Sequence, residues 1–426
     1  MIQILTSAAG QNVGGQGQPL TETAFILAFG MLLLAPLAIA GLALVNTGLG
    51  RARSAAQSLL GSLVIVSAAV LTYTAVGTVW PSPLGHGIHS FFLASFASAD
   101  SRAQLEVLYE IFTVGLAVII PWGAGSDRLR LIAGIVLAAL IAGVPFPLLS
   151  NAGWGGGWLA ALGTSYGLGS GLMDAGGAAS VHVLGGLSAL AIVWLTGARK
   201  GKFPKLGVAT ALPGHHAVFV LFGCLLALVG WLGTNCAGSL LWLKLPPAAL
   251  PIVVLNTILM AVSAALATFT VTQIRFGKPD ASLCANSWLT GLVASCAGAG
   301  ILTPVEALFT GIVAGIATPL LVELLELALS IDDPTGAIPV HAIGGVWGLI
   351  VVGVFSHQTG QLLAQLVAVS TLAGLVFPIL YLLLWGMDRI APLRVDADGE
   401  RLGMDMRELG GSAYPEFVLH RDDSSR

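Results

Sequence analysis

Eleven times along this chain, a run of about twenty residues passes with almost no charge. That is the length a helix needs to cross the hydrocarbon core of a bilayer. The runs lie at roughly 23–46, 57–79, 103–122, 129–149, 175–197, 215–241, 249–272, 285–302, 304–328, 337–356 and 362–388. Glu306, Glu323 and Glu326 blur the ends of the ninth. Lipid offers the backbone no hydrogen-bond partner, so such segments must satisfy themselves as helices. Only 9% of residues are charged, against about 25% in soluble domains. The 55 glycines suit helices packed backbone to backbone. The expectation is an all-α polytopic membrane protein with eleven transmembrane helices over 23–388. A segment 1–22 precedes them and a tail 389–426 follows.

Lys and Arg orient the bundle. One set of loops with the tail holds Arg51, Arg53, Arg128, Arg130, Arg199, Lys200, Lys202, Lys205, Arg275, Lys278 and six tail arginines, sixteen in all. The other set holds Arg102 and Lys244. This predicts an extracytoplasmic N-terminus and a cytoplasmic tail, in an inner (cell) membrane of bacterial type. The first twenty residues lack a basic stretch before a compact apolar core, so no secretory signal is expected.

One segment occurs twice. Asp174-Ala-Gly-Gly-Ala-Ala-Ser-Val-His182-Val-Leu-Gly-Gly186 is echoed by Asp333-Pro-Thr-Gly-Ala-Ile-Pro-Val-His341-Ala-Ile-Gly-Gly345, with seven of thirteen positions identical. If spans 1–5 and 6–10 form two halves, each crosses an odd number of times, so the second is inverted. Sites in such repeats lie where the halves meet. Eight helical residues rise about 12 Å, close to half the apolar core of about 15 Å. His182 and His341 would then reach similar depths from opposite sides. An intramembrane His is a functional candidate, and a symmetric pair favours a pore over a structural hydrogen bond. Asp174 and Asp333 read as helix caps, with Pro334 suited to the first helical position. An outward-facing Asp174 would also raise local cation affinity.

Little else is chemically rich. Trp154, on the outer side, reads either as an interfacial anchor or as a cation–π platform. Glu106 and Glu110 share a face of span 3, and Glu110 lies deep enough to need a partner. Cys224, Cys236, Cys284 and Cys296 read as buried small hydrophobes, with no metal or disulfide spacing. No Walker, HExxH or GxSxG motif is present. No enzyme activity, cofactor, metal or nucleic-acid partner is expected. An intramembrane hydrolase using the two histidines would lack a nucleophile.

These residues resemble the ammonium transporter / methylammonium permease / Rhesus superfamily, its bacterial ammonium transporter branch above all. The matches are Asp174-Ala-Gly-Gly with His182, Asp332-Asp333-Pro with His341, Trp154-Gly-Gly-Gly, Gly230-Trp231-Leu-Gly-Thr-Asn235, Ser126-Asp127-Arg128, Gly403-Met-Asp405 and Ala413-Tyr414. The resemblance implies a homotrimer in membrane lipid with one pore per subunit, and a cytoplasmic regulator of PII type. It implies recruitment of ammonium or methylammonium by Trp154, Asp174 and Ser239, then passage of ammonia past His182 and His341. The chain also departs from the family. Thr113 and Thr234 stand where the family stacks two Phe rings as an outer gate, with Phe112 adjacent. Val45-Asn46 replaces a Phe-Tyr pair, Glu110 replaces a Gln, and a Gly/Ser-rich insert runs over Thr164–Gly171. A wider, wetter mouth is therefore expected. The alternatives are a pore for another small neutral or cationic solute, or a poorly conducting ammonium sensor.

Overall fold

The computed structural model describes residues 20–415 apart from His86 and residues 205–208. Residues 1–19 of the expected leading segment, Lys205 and residues 416–426 of the tail lie outside the described residues. The described chain is helical, with no strand and two isolated bridges, Ser82–Gly85 and Leu129–Arg394. Among the described residues, ten helical stretches are long and apolar enough to cross a membrane. They are Glu22–Leu49, Ala52–Val79, Ser101–Ala124, Leu131–Gly153, Ala178–Thr196, Ala217–Leu241, Pro247–Phe276, Pro304–Ala328, Ile338–Phe355 and Gln361–Ile390. Pro36 and Pro145 break the first and fourth, since each lacks the N–H that would continue the ladder.

The eighth expected span is shorter than predicted. Its helix covers Ala281–Ser295 and gives way to turns over residues 296–301. The reason is visible in the carbonyls that this unwinding frees. Cys296 O and Ala297 O accept from Gly176 N at 2.6 Å and Ala175 N at 3.1 Å. Asn256 Nδ2 donates to Ala299 O and Leu302 O. The segment just before His182 takes the bonds that a longer helix would have kept.

Ala178–Thr196 and Ile338–Phe355, the fifth and tenth of the eleven expected spans, cross at their glycine pairs. A Cβ at Gly186 would overlap Ala342, and one at Gly345 would meet Ala178 and Val183. Ala342 and Val183 are equivalent positions of the two copies, so the contact is reciprocal, as a two-fold relation requires.

The side carrying residues 389–415 is the tail face. There Arg199 clamps Asp332 with Nε at 2.9 Å and reaches Asp127 at 3.0 Å. Arg51 also meets Asp127 at 3.1 Å, and Arg128 Nη2 donates to Asp332 O at 2.7 Å. The tail docks on the same face. Asp405 accepts from Ala56 N and Gln57 N, and Glu408 from Leu131 N. Carboxylates at helix N-termini satisfy orphan donors and suit the helix dipole. Of the four cysteines, all unpaired, Cys284 is half-exposed and the other three are buried.

Candidate functional site

Each copy of the repeat folds by the same local rule. The residue three after the Asp is a glycine with positive φ, +89° at Gly177 and +67° at Gly336. L-residues rarely adopt that conformation. It turns the chain so that the carboxylate reaches forward into a wide π-turn, Ala178–Val183 in one copy and Ile338–Ile343 in the other. Asp174 accepts from Ala179 N and Ser180 N at 3.0 Å each, and from Ser180 Oγ at 2.9 Å. Asp333 accepts from Ile338 N at 2.7 Å. Pro334 is therefore not the first helical residue. It lies in the turn before the helix, which the Asp caps from five residues upstream. The copies differ at one place that matters. Ser180 supplies two donors, whereas the equivalent Pro339 has none, and Asp333 Oδ1 is left without a partner.

The two π-turns bring the histidines together. His182 Nδ1 and His341 Nδ1 are 3.2 Å apart, with ring centroids 5.2 Å apart and planes 18° from parallel. Both are buried. Trp231 stacks on His182 at 5.3 Å and 9°. Two neutral imidazoles can make this contact only if one Nδ1 carries the proton and the other accepts it. The outward Nε2 atoms are then one acceptor and one donor. Those roles exchange only when the acceptor Nε2 takes up a proton, the shared proton shifts to the other ring, and the donor Nε2 releases its own.

The face opposite the tail is built of rings and carbonyls. Trp154 Nε1 donates to Asp174 O at 2.6 Å, and Tyr109 OH to Ala175 O at 2.7 Å. Trp154 and Trp242 stack at 5.4 Å and 9°, and Tyr109 sets its edge to both, at 5.2 and 5.6 Å. Trp154 is 9% exposed, so its ring belongs to the fold and is no exposed interfacial anchor. Ser239 is buried with its Oγ unpartnered, beside Gly238, where any Cβ would strike Ala175 O.

The remaining candidates are placed differently. Thr113 Oγ donates to Tyr109 O at 2.8 Å and Thr234 Oγ to Trp231 O at 3.2 Å. Both hydroxyls are satisfied within their own helices. Phe112 is half-buried against the core. Glu110 receives the hydroxyl of Tyr73 from the second span. It is a bond between helices, not a carboxylate facing the mouth. Tyr109, Trp242 and the stacking role of Trp231 are not legible in the sequence reading. Their signal is spacing: Tyr109 sits one turn before Thr113, and Trp242 three residues after Ser239. Among the described residues, no group of three His, Cys, Asp or Glu could hold a metal ion.

Two helical halves meeting reciprocally at a buried polar pair, with broad apolar faces outside, define a polytopic membrane transporter fold. The sequence profile of the Ammonium Transporter Family matches residues 24–414. Ammonium transporter Amt2 of Archaeoglobus fulgidus is 30% identical over 406 residues, spanning 89% of this chain and 85% of its own. Ammonium transporter Amt2 of Haloferax mediterranei is 31% identical over 405 residues, spanning 89% and 87%. A solved structure described as "Sensor Amt Protein" has a TM-score of 0.82 at 26% identity, covering 90% of this chain and 98% of that one. Candida albicans Mep2 shares the fold, with a TM-score of 0.76 at 23% identity and 91% of each chain covered. The chain belongs to the ammonium transporter family, integral membrane proteins that carry ammonium across the membrane.

A first expected result concerns Asp174. Asp174→Ala leaves two buried N–H groups unpaired, each costing about 1–3 kcal/mol, whereas Asp174→Asn keeps a side-chain oxygen. Thermal unfolding in detergent should rank wild type above Asn above Ala. Equal loss of transport in fully folded Asn and Ala variants would show that the charge outweighs the cap.

Proposed function

We propose that this chain conducts ammonia through a pore centred on His182 and His341, fed by ammonium recruited at the outer mouth. The observation that carries the reading is the buried Nδ1–Nδ1 contact of 3.2 Å at the crossing of the repeated helices. An ammonium ion leaving water loses several kcal/mol of hydration, so it gives its proton back to water at the outer mouth before the apolar lumen. Neutral ammonia avoids that cost. The histidine pair then offers it one donor and one acceptor, and can pass a proton along its shared bond. Trp154, Asp174 and Ser239 form the recruiting surface, with carbonyl oxygens 174 and 175 turned toward the rings. Trp154, Trp242 and Tyr109 supply the aromatic closure that the family assigns to a Phe pair, so the outer gate is rebuilt from other rings. Phe112, Thr113 and Thr234 line its approach as helix-backbone supports.

In this reading residues 23–388 form the transporter domain. Trp154 faces outside, and the tail face lies in the cytoplasm of a cell with a bacterial-type inner membrane. Three copies assemble with one pore each, and the tail meets a cytoplasmic PII-type regulator. Proteoliposomes given ammonium, methylammonium or potassium test the proposal. Ammonium flux well above potassium flux is expected, and methylammonium slower than ammonium reports a sealed aromatic mouth. Equal potassium and ammonium flux would sink the ammonia pore. The likeness to a protein described as a sensor supports a second reading. A sensor would bind ammonium tightly with negligible flux.

A further inference from the structure

The outer mouth is held by a helix that belongs to neither half of the repeat. Gln361 and Gln365 lie one turn apart on Gln361–Ile390, and both are fully buried. Burying an amide is costly unless every group finds a partner, and here each amide is spent on the same short segment. Gln365 Oε1 accepts from Met173 N at 3.1 Å, and its Nε2 donates to Met173 O at 2.8 Å. Gln361 Oε1 accepts from Ser170 N at 2.8 Å, and its Nε2 donates to Gly171 O at 2.7 Å. Ser170 Oγ adds a bond to Gln358 Oε1 at 2.6 Å, and Gly169 N one to Thr359 O at 3.1 Å. The two side chains act like the edge of a neighbouring strand along residues 170–173. This segment joins the end of the Gly/Ser-rich insert, at Gly171, to Asp174.

From the other side, Ala175 N and Gly176 N are held by Ala297 O and Cys296 O. The stretch 173–176 is therefore braced on two sides. Between the braces stand the carbonyls that meet Trp154 and Tyr109. Packing alone would be met by leucine at positions 361 and 365. Paired bonds to single backbone residues instead fix where the carbonyls at 174 and 175 point.

We propose that Gln365, backed by Gln361, is a positioning residue for ammonium recruitment: it sets the carbonyls of Asp174 and Ala175 through Met173. This rests on the outer-mouth reading above. The experiment uses the full-length protein in proteoliposomes. Gln365→Met keeps length and loses both bonds. Gln365→Glu keeps the acceptor for Met173 N and loses the donor. For Gln365→Met the half-saturating ammonium concentration should rise about tenfold, the scale of one or two net hydrogen bonds. Maximal flux should stay within about twofold of wild type on the same scale. Gln365→Glu should fall between, and Gln361→Met should shift less, being farther from Asp174.

A merely structural brace would lower the amount of folded protein or maximal flux and leave half-saturation alone; that result overturns the proposal. If Gln365→Met does not fold, the same split in Gln365→Glu decides. Backbone amide exchange at Met173, measured without substrate, keeps the two readings apart. No ammonium flux in the unaltered protein sinks the transport reading only. Unchanged exchange at Met173 in the Gln365 variants sinks the brace.

Discussion

His182→Ala is expected to lower ammonium flux by about ten- to a hundredfold while the protein still inserts and folds. The scale comes from leaving His341 Nδ1 buried without its partner, about 1–3 kcal/mol, with each 1.4 kcal/mol worth tenfold. In the proposed pore the loss falls on the substrate's path, because the contact sits where Ala178–Thr196 and Ile338–Phe355 cross, with Trp231 stacked on His182. His341→Ala should cost a similar amount. The double substitution should cost little more than either single one, since both remove one shared interaction. Flux in proteoliposomes, with folded protein quantified by size-exclusion chromatography, measures all three. Strictly additive losses would mean that the rings act separately. Unchanged flux in both single variants would remove the pair from the pathway.

A second large effect is expected at the tail face. Asp332→Asn should destabilise the protein by about 3–5 kcal/mol, because Arg128 then keeps no carboxylate in contact. Arg199→Met should cost less, since Asp332 keeps Arg128 and Asp127 keeps Arg51. Asp332 holds two guanidiniums, those of Arg199 and Arg128, and Arg199 also reaches Asp127. Burial alone would raise both carboxyls. The bonds and charges of Arg199 and Arg128 at Asp332, and of Arg51 and Arg199 at Asp127, outweigh it and leave both below the usual carboxylate range. A carboxyl depressed in the fold stabilises the protein above its unfolded value and loses that contribution as the pH drops through the folded value. Stability from this cluster is thus full at neutral pH and should fall below about pH 4, the ordinary Asp range. Unfolding midpoints at pH 7 and below 4 check it: the gap between wild type and Asp332→Asn should shrink in acid. A gap that persists would assign the effect to shape and not to charge.

Much of this was legible because lipid leaves a sequence few choices. Long uncharged runs announced the helices, and the echo of Asp174…His182 in Asp333…His341 announced the crossing. What escaped was whatever depends on direction. Glu110 and its neighbour Tyr109 are one residue apart, yet one turns to Tyr73 and the other to the rings of Trp154 and Trp242. The short eighth helix escaped because its carbonyls are claimed by residues 175 and 176, more than a hundred positions earlier. The resemblance to the family made Thr113 and Thr234 look like polar replacements for gate rings at the mouth. Hydroxyls in helices commonly bond back one turn, and these do. Gln361 and Gln365 carry no signal in the sequence, because their partners at 170–173 lie in an irregular segment with no periodicity of its own.

The wide π-turns around both histidines have a consequence for how this gene can change. A π-turn holds one residue more than an α-turn, and each residue in an α-helix turns the chain by about 100°. Deleting any one residue from Ala178–Val183 or Ile338–Ile343 would let the turn relax to α and swing its Asp and glycine a quarter-turn away from the cap. A substitution at these positions, whatever it does to flux, leaves the residue count intact, whereas a deletion does not. The interval from Asp to His is thus a ruler, and both halves must keep the same count for their rings to meet.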